Sequence, residues 1–390
     1  MTTPAPEPRR AWRPGDIWPP LAIAAAAFAA VAAVAPGFLG MHGEDLLYPG
    51  PGVTRVLSLA TYHDALRGTA GDSPVFELRG REPGGTMLVL GGTHADEPAG
   101  YLAAVLLVEC ARVDKGRLLV VPRANASGFT HNYPQEGHPA FFELATPGGP
   151  RRFTYGARAT NPVHQWPDPQ VYTLAGSGQT LSGSETRNLN RAYPGKADGS
   201  LTEQVAFAIT TLVRRESVAL ALDLHEASPE YPVVNTMVAH QRALDLAAVA
   251  SMTLEAEGIA IGLEPSPENL HGLSHREWGD TTPALAVLIE TTNPAQGRLR
   301  GRTDASVVEG GRDRFYALAS GRGRLSVPFP AEGWPLSTRV ARHVASLQAL
   351  AVALGQLSPD RALALSGVPA YGAIIERGIG AFLTPPRGLP

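Results

Sequence analysis

Three residues in this chain have the types and the spacing to hold a catalytic metal ion: His94, Glu97 and His225. His94 and Glu97 stand three apart in Leu-Gly-Gly-Thr-His-Ala-Asp-Glu-Pro, and His225 follows much later in Leu-Asp-Leu-His-Glu. Residues i and i+3 on an opening helical turn share a face, so the first pair is expected to converge on one ion. Two ring nitrogens and a carboxylate leave the fourth position of a tetrahedral zinc site open for water, which is how catalytic zinc differs from structural zinc. Taken alone, His-x-x-Glu is a weak signal, and the rest of the chain has to support it.

The elements that must position these side chains alternate in kind. Apolar runs at 87–90, 117–121, 218–224, 233–238 and 284–290 read as strands. Runs at 97–110, 201–215, 241–257 and 337–357 read as helices, the last with Val340, Val344, Leu347, Leu350 and Leu354 on one face. Strands alternating with helices predict an α/β fold with a mostly parallel sheet, and such sheets bind ligands beyond the carboxyl ends of their strands. His94, His225 and Glu290 all lie at or just past such ends.

Composition narrows the class of molecule. The chain has 390 residues, 44% hydrophobic and 18% charged, with a net charge of -3. That describes a foldable globular protein, and the lack of a basic cluster in the body argues against nucleic acid as a partner. The single Cys110 excludes an intrachain disulfide or a cysteine-rich metal site, and its apolar surroundings read as structural. At the N-terminus a short tail, 1–16, carries Arg9, Arg10 and Arg13. An uncharged Ala-rich segment follows at 17–41, close to the ~20 apolar residues a membrane span needs. By the positive-inside rule the tail stays cytoplasmic and the body is exported, membrane-anchored through 17–41. A cleaved signal peptide and a buried Ala-rich helix are the other readings of the same segment.

His94-x-x-Glu97, Pro122-x-x-Asn125-x-x-Gly128, Asn190-Arg191, His225 and Glu290 occur in the order found in zinc carboxypeptidases, which this sequence resembles over about residues 75 to 295. Asn188-Leu189-Asn190-Arg191-Ala192-Tyr193-Pro194-Gly195 is similar to a segment of the succinylglutamate desuccinylase and aspartoacylase branch, as are Asp223-Leu224-His225 and His275-Arg276-Glu277. The resemblance implies a three-layer sandwich with a mixed, mostly parallel central sheet over 42–357, preceded by the hydrophobic helix and followed by a C-terminal tail, 358–390. It also implies Zn2+ on His94, Glu97 and His225, with Glu290 as general base. Asn190 and Arg191 are then expected to hold a substrate carboxylate. Arg187 is the first choice for a further substrate contact at the developing oxyanion, and Arg123 the second. Asp223 is expected to support His225 from behind, and His275 to touch substrate or cap an element.

Two departures from that pattern stand out. Asn188 replaces an aspartate expected to accept a hydrogen bond from the first metal-binding histidine, so the ring is oriented without charge. Residues 129–186 form a long insertion whose aromatics point to a folded lid or substrate wall. The implied activity is zinc-dependent hydrolysis of an amide beside a free carboxylate, as in N-acyl amino acid deacylases. A carboxypeptidase acting on peptides or cell-wall peptides and a non-catalytic binding module are the alternatives.

Overall fold

The structure, a computed structural model, describes residues 17–43 and 45–385. The tail at 1–16, Glu44 and the last five residues lie outside the described residues. The first element, α1 (Trp18–Gly40), has 23 residues, a mean hydropathy of 2.1 and no buried side chain. The buried-helix reading therefore fails: α1 is an exposed apolar rod long enough to cross a bilayer.

The body begins with β1 (Arg55–Ser58), β2 (Pro74–Arg79), β3 (Glu82–Leu90), α2 (Pro98–Cys110) and β4 (Arg112–Val121). Two hairpins follow, β5 (Phe141–Thr146) with β6 (Gly149–Thr154) and β7 (Val171–Thr173) with β8 (Thr180–Ser182). Next come α3 (Leu201–Arg215), β9 (Val218–Ala227), β10 (Thr236–Ala239), α4 (Leu244–Ala256), β11 (Gly262–Pro265), α5 (Ser274–Thr281) and β12 (Leu285–Thr292). The short α6 (Ala305–Gly310) and α7 (Arg314–Ser320) precede the long α8 (Leu336–Leu357), and β13 (Ala364–Ser366) and α9 (Tyr371–Arg377) follow it.

The main sheet runs β1-β2-β4-β3-β9-β12-β10-β11, with β13 added beside β4. Its centre, β4-β3-β9-β12, is parallel, while β2 and β10 join antiparallel on either side. Side chains alternate across a strand, and both faces here are apolar. Met87, Val89, Leu118 and Val120 pack under α2 and α8. Leu88, Leu90, Leu119 and Val121 meet Ile209 and Leu212 of α3 and Trp278 of α5. Burial on both faces makes these strands continuous apolar runs and produces three layers. At the start of α3, Ser200 N–H donates to Glu203 Oε2 (2.8 Å) and Glu203 N–H to Ser200 Oγ (3.4 Å), a reciprocal cap.

Several boundaries differ from the sequence reading. β10 starts at Thr236 and not Val233, because Asn235 has a φ of 50° and breaks the extended run. α2 starts at Pro98, so Glu97 lies just outside the helix, and its side chain makes no capping bond. β1, β2 and α5 had no strong periodic signal; in α5 the only large apolar side chain is Trp278. The insertion is folded: Phe142 and Phe153 stack at 5.8 Å, and both are buried with Tyr155. Residues 358–385 pack on the body, β13 pairing with β4 and Cys110 Sγ donating to Phe382 O (3.0 Å). Burial pushes the Cys110 thiol up to about 11, which suits a structural role.

Candidate active site

The site forms where β3, β9 and β12 reach their carboxyl ends. After Leu90 the chain turns through Gly91 and Gly92, and Gly92 has a φ of 65°. A Cβ there would meet Pro122 O at 2.8 Å and the Phe129 ring at 2.9 Å, so only glycine fits the turn. His94 and Glu97 then face each other across a tight turn, closed by Glu97 N–H donating to His94 O (3.2 Å). The i, i+3 expectation holds in outcome, but a turn delivers it instead of a helix.

His94 Nδ1 lies 2.7 Å from Glu97 Oε1, and His225 Nδ1 lies 2.9 Å from Glu97 Oε2 and 3.2 Å from His94 Nδ1. One ligand atom from each residue falls within 4.8 Å of the others, and all three residues are buried. The outer ring nitrogens are also engaged. His94 Nε2 donates to Asn188 Oδ1 (2.9 Å), and His225 Nε2 lies 3.0 Å from Asp223 Oδ2. Burial would lower the His225 pKa, but Asp223 and Glu97 outweigh it and raise it well above the ordinary value, so a metal bound at its Nδ1 would have to displace a proton, with the outer nitrogen kept as the donor. Burial lowers the His94 pKa to about 4, so its ring is neutral at pH 7. The donor set and its orientation fit a zinc ion.

Asn188 does more than orient His94. Its Nδ2 donates to Glu185 Oε2 (2.8 Å), which sets a carboxylate one residue behind the neutral amide. Asp223 is anchored from its other side by Thr93 Oγ1 (2.8 Å). Glu290 is the register partner of His225 across β9 and β12. Its side chain is half-buried, its Oε2 has no hydrogen-bond partner among the described residues, and burial pushes its pKa up to about 8.

A cavity of about 440 Å³ opens beside these groups, lined by Glu290, Asn190, Arg191, Arg158 and His275. Val233, Val238, Leu270, Leu273 and Leu288 add an apolar share to the lining, with Glu264 among them. Asn190 is fixed by Ser274 N–H, which donates to its Oδ1 (2.9 Å). Arg191 donates from Nη1 to Asn190 O (2.8 Å), and its nearest carboxylate, Glu185, is 4.0 Å away. Burial and the neighbouring Arg158 lower the Arg191 pKa below its ordinary value.

The structure corrects the choice of further arginine. Arg187 does not line the cavity. Asp168 grips it through Nε (2.7 Å) and Nη2 (2.9 Å), and its Nη1 donates to Thr160 O (2.9 Å). Arg123 pairs with Asp45 and lies over the Phe129 ring at 4.6 Å, deep in the packing. The cavity arginine that the sequence reading missed is Arg158, whose Nη1 is 3.3 Å from Glu97 Oε1. It lies in the insertion, where no spacing ties it to the motifs. Backbone pairing places it: Ala95 N–H donates to Ala157 O (3.2 Å), Gly156 N–H to Ala95 O (3.1 Å) and Ala157 N–H to Gly128 O (2.9 Å). Asn125 accepts from Gly128 N–H (3.2 Å), so the Asn125–Gly128 motif braces this ladder.

No protein-family model and no curated protein matches the sequence. Solved structures that align with parts of the chain do so at TM-scores below 0.5. An ectoine utilization protein from Ruegeria pomeroyi aligns at 21% identity and a TM-score of 0.36, over 56% of this chain and 53% of that one. A succinylglutamate desuccinylase from a Silicibacter species aligns at 18% and 0.34, over 56% and 53%. A metallo-carboxypeptidase from Pseudomonas aeruginosa aligns at 17% and 0.44, over 85% and 68%. The chain matches only about half the length of the first two.

Proposed function

We propose that the protein is a zinc-dependent hydrolase that cleaves an amide bond beside a free carboxylate, with the geometry of an N-acyl amino acid deacylase or carboxypeptidase. The observation that carries this reading is the conjunction of two features in one cavity. One is a His-Glu-His cluster with both Nδ1 atoms facing inward, and the other is an arginine, Arg191, whose ion pair with Glu185 is long, at 4.0 Å.

His94, Glu97 and His225 would hold the ion, which supplies Lewis acidity to activate water and polarise the scissile carbonyl. Glu290, whose raised pKa the charge of a bound ion would lower, takes the proton from the attacking water and delivers it to the departing amine. Asn190 and Arg191 grip the carboxylate of the leaving amino acid, and the planar guanidinium matches its two oxygens. The apolar residues of the lining accept that amino acid's side chain. Arg158 would stabilise charge on the carbonyl oxygen, the role expected of Arg187.

The body acts outside the cytoplasm, held by α1. The exposed apolar helix and the arginines that precede it in the sequence support this.

Metal analysis tests the core of the reading. Purified protein is expected to carry about one zinc per chain, lost in His94→Ala and in His225→Ala. Unchanged zinc in both variants would refute the ligand set.

A further inference from the structure

Where α1 meets the body, a cavity of about 290 Å³ is lined by Val34 and Phe38 of the helix and by Asn132, Pro134, His138 and Arg302 of the body. It shares no lining residue with the cavity at the metal cluster. The junction is close-packed: Met41 is 1% exposed, and a Cβ on Gly40 would stand 3.1 Å from the Phe141 ring. Asp45, just beyond, pairs with Arg123, so the helix leaves the body at a fixed place.

The length of α1 sets the depth of this cavity. A membrane span takes ~20 residues; counted from Trp18, an aromatic suited to the inner interface, it ends near Gly37 and Phe38. The cavity therefore lies where hydrocarbon gives way to headgroups, with Val34 on the hydrocarbon side. Among the described residues, Arg302 is the one formally charged side chain lining it. It is exposed and makes no hydrogen bond or ion pair among those residues. The nearby acids are engaged elsewhere. Glu136 pairs with Arg300. Asp304 accepts from Ser306 Oγ (2.7 Å) and Val307 N–H (3.0 Å), and these bonds, with the field of Arg302, lower its pKa. Asn132 is 8% exposed, and its Nδ2 donates to Pro139 O (3.0 Å), which leaves a buried Oδ1 with no donor among the described residues. A buried acceptor left without a donor costs free energy that a hydroxyl recovers.

We propose that this cavity binds an anionic membrane lipid, with its phosphate on Arg302, an acyl chain along Val34 and Phe38, and a headgroup hydroxyl on Asn132 Oδ1. A phosphodiester with a polyol headgroup, phosphatidylglycerol in the simplest case, supplies all three contacts. A lipid seated there ties the body to the bilayer at a second point beside α1. The inference rests on the membrane-anchored reading of α1 and is independent of the hydrolase reading.

The test offers full-length protein in neutral detergent equimolar short-chain phosphatidylglycerol, phosphatidylmethanol and phosphatidylcholine, and native mass spectrometry counts the lipid retained. Phosphatidylglycerol is expected to be favoured over phosphatidylcholine by roughly tenfold or more, the scale of a charge-assisted contact. It should exceed phosphatidylmethanol, which has the charge but no hydroxyl, by a smaller factor. Arg302→Ala should abolish the first preference, Arg302→Lys should restore part of it, and added salt should weaken it. An unchanged thermal midpoint shows that both variants fold. Equal retention of all three lipids, or a preference that survives Arg302→Ala, would overturn the site, and phosphatidylmethanol held as well as phosphatidylglycerol would overturn the Asn132 contact. Washing membranes in alkaline carbonate tests the anchor separately. Release of the protein, or a mature form lacking α1, would contradict the anchor and the lipid site with it, whereas retained protein without a lipid preference would overturn the lipid site alone.

Discussion

At the scale of single residues, the outer nitrogen of His94 shows how the site tolerates a neutral partner. Asn188 Oδ1 accepts from it, and Asn188 Nδ2 passes the contact on to Glu185, so a carboxylate still lies behind the ligand at one remove. Removing such an outer contact typically weakens metal binding by ~10–100-fold. Asn188→Ala is expected to lower zinc affinity by that order in a competition titration against a chelator, and unchanged affinity would mean that the turn alone orients the ring. Glu290 carries a different burden. Its substitution by Gln keeps the shape and removes the proton carrier, so kcat should fall ~10²–10⁴-fold with zinc content and KM little changed. Retention of more than about a tenth of kcat, a loss smaller than general-base help implies, would place the base elsewhere.

At the scale of elements, the motifs legible in the sequence are those on strands, His225 and Glu290, and those in turns and short helical segments, such as His94-x-x-Glu97 just past a strand end and Asn190-Arg191. β3, β9 and β12 announce themselves as apolar runs because both faces of the sheet are covered, and the ligands sit at their ends. Arg158 was not legible, because backbone pairing between the insertion and the His94 turn places it, and such pairing leaves no periodic trace. The choice of Arg187 has the same origin: next to Asn188 in sequence, it is held by Asp168 and does not line the cavity. β1 and β2 were missed because they are short and interrupted by polar residues. The segment after α1 is tied to the body by Asp45, which pairs with Arg123 and accepts from Tyr101 Oη (2.7 Å), Thr154 N–H (3.0 Å) and Thr154 Oγ1 (2.7 Å). Burial by itself would raise the Asp45 pKa, but Arg123, Thr154 and Tyr101 outweigh it and hold the value below the ordinary one. The resulting stability is present at neutral pH and is lost as pH falls through that lowered value. Asp45→Ala leaves Arg123 buried without its partner, which typically costs ~3–5 kcal/mol. Denaturant unfolding at pH 7 should show that loss, and a change within ~0.5 kcal/mol, typical of an uninvolved surface site, would show that Arg123 finds another partner.

At the scale of the whole molecule, one exposed apolar helix leads into a three-layer body in which His94 and Glu97 line one cavity and a second cavity shares Arg158 and Gln296 with it. A reporter fused after residue 60 is expected to be active only outside the cytoplasm. Activity confined to the cytoplasm would contradict the exported reading, and release of a soluble mature form would favour a cleaved signal. The central claim, hydrolysis directed by a free carboxylate, depends on Arg191. The most direct measurement compares kcat/KM of the unmodified protein and Arg191→Ala on one substrate with its carboxylate free and again with it amidated. A bidentate, partly desolvated contact should make the free-acid substrate lose roughly ten- to a hundredfold, with Lys at 191 restoring only part of it, while the amidated substrate is nearly unaffected. Equal losses on both substrates would contradict the account and assign Arg191 to structure or to the developing oxyanion.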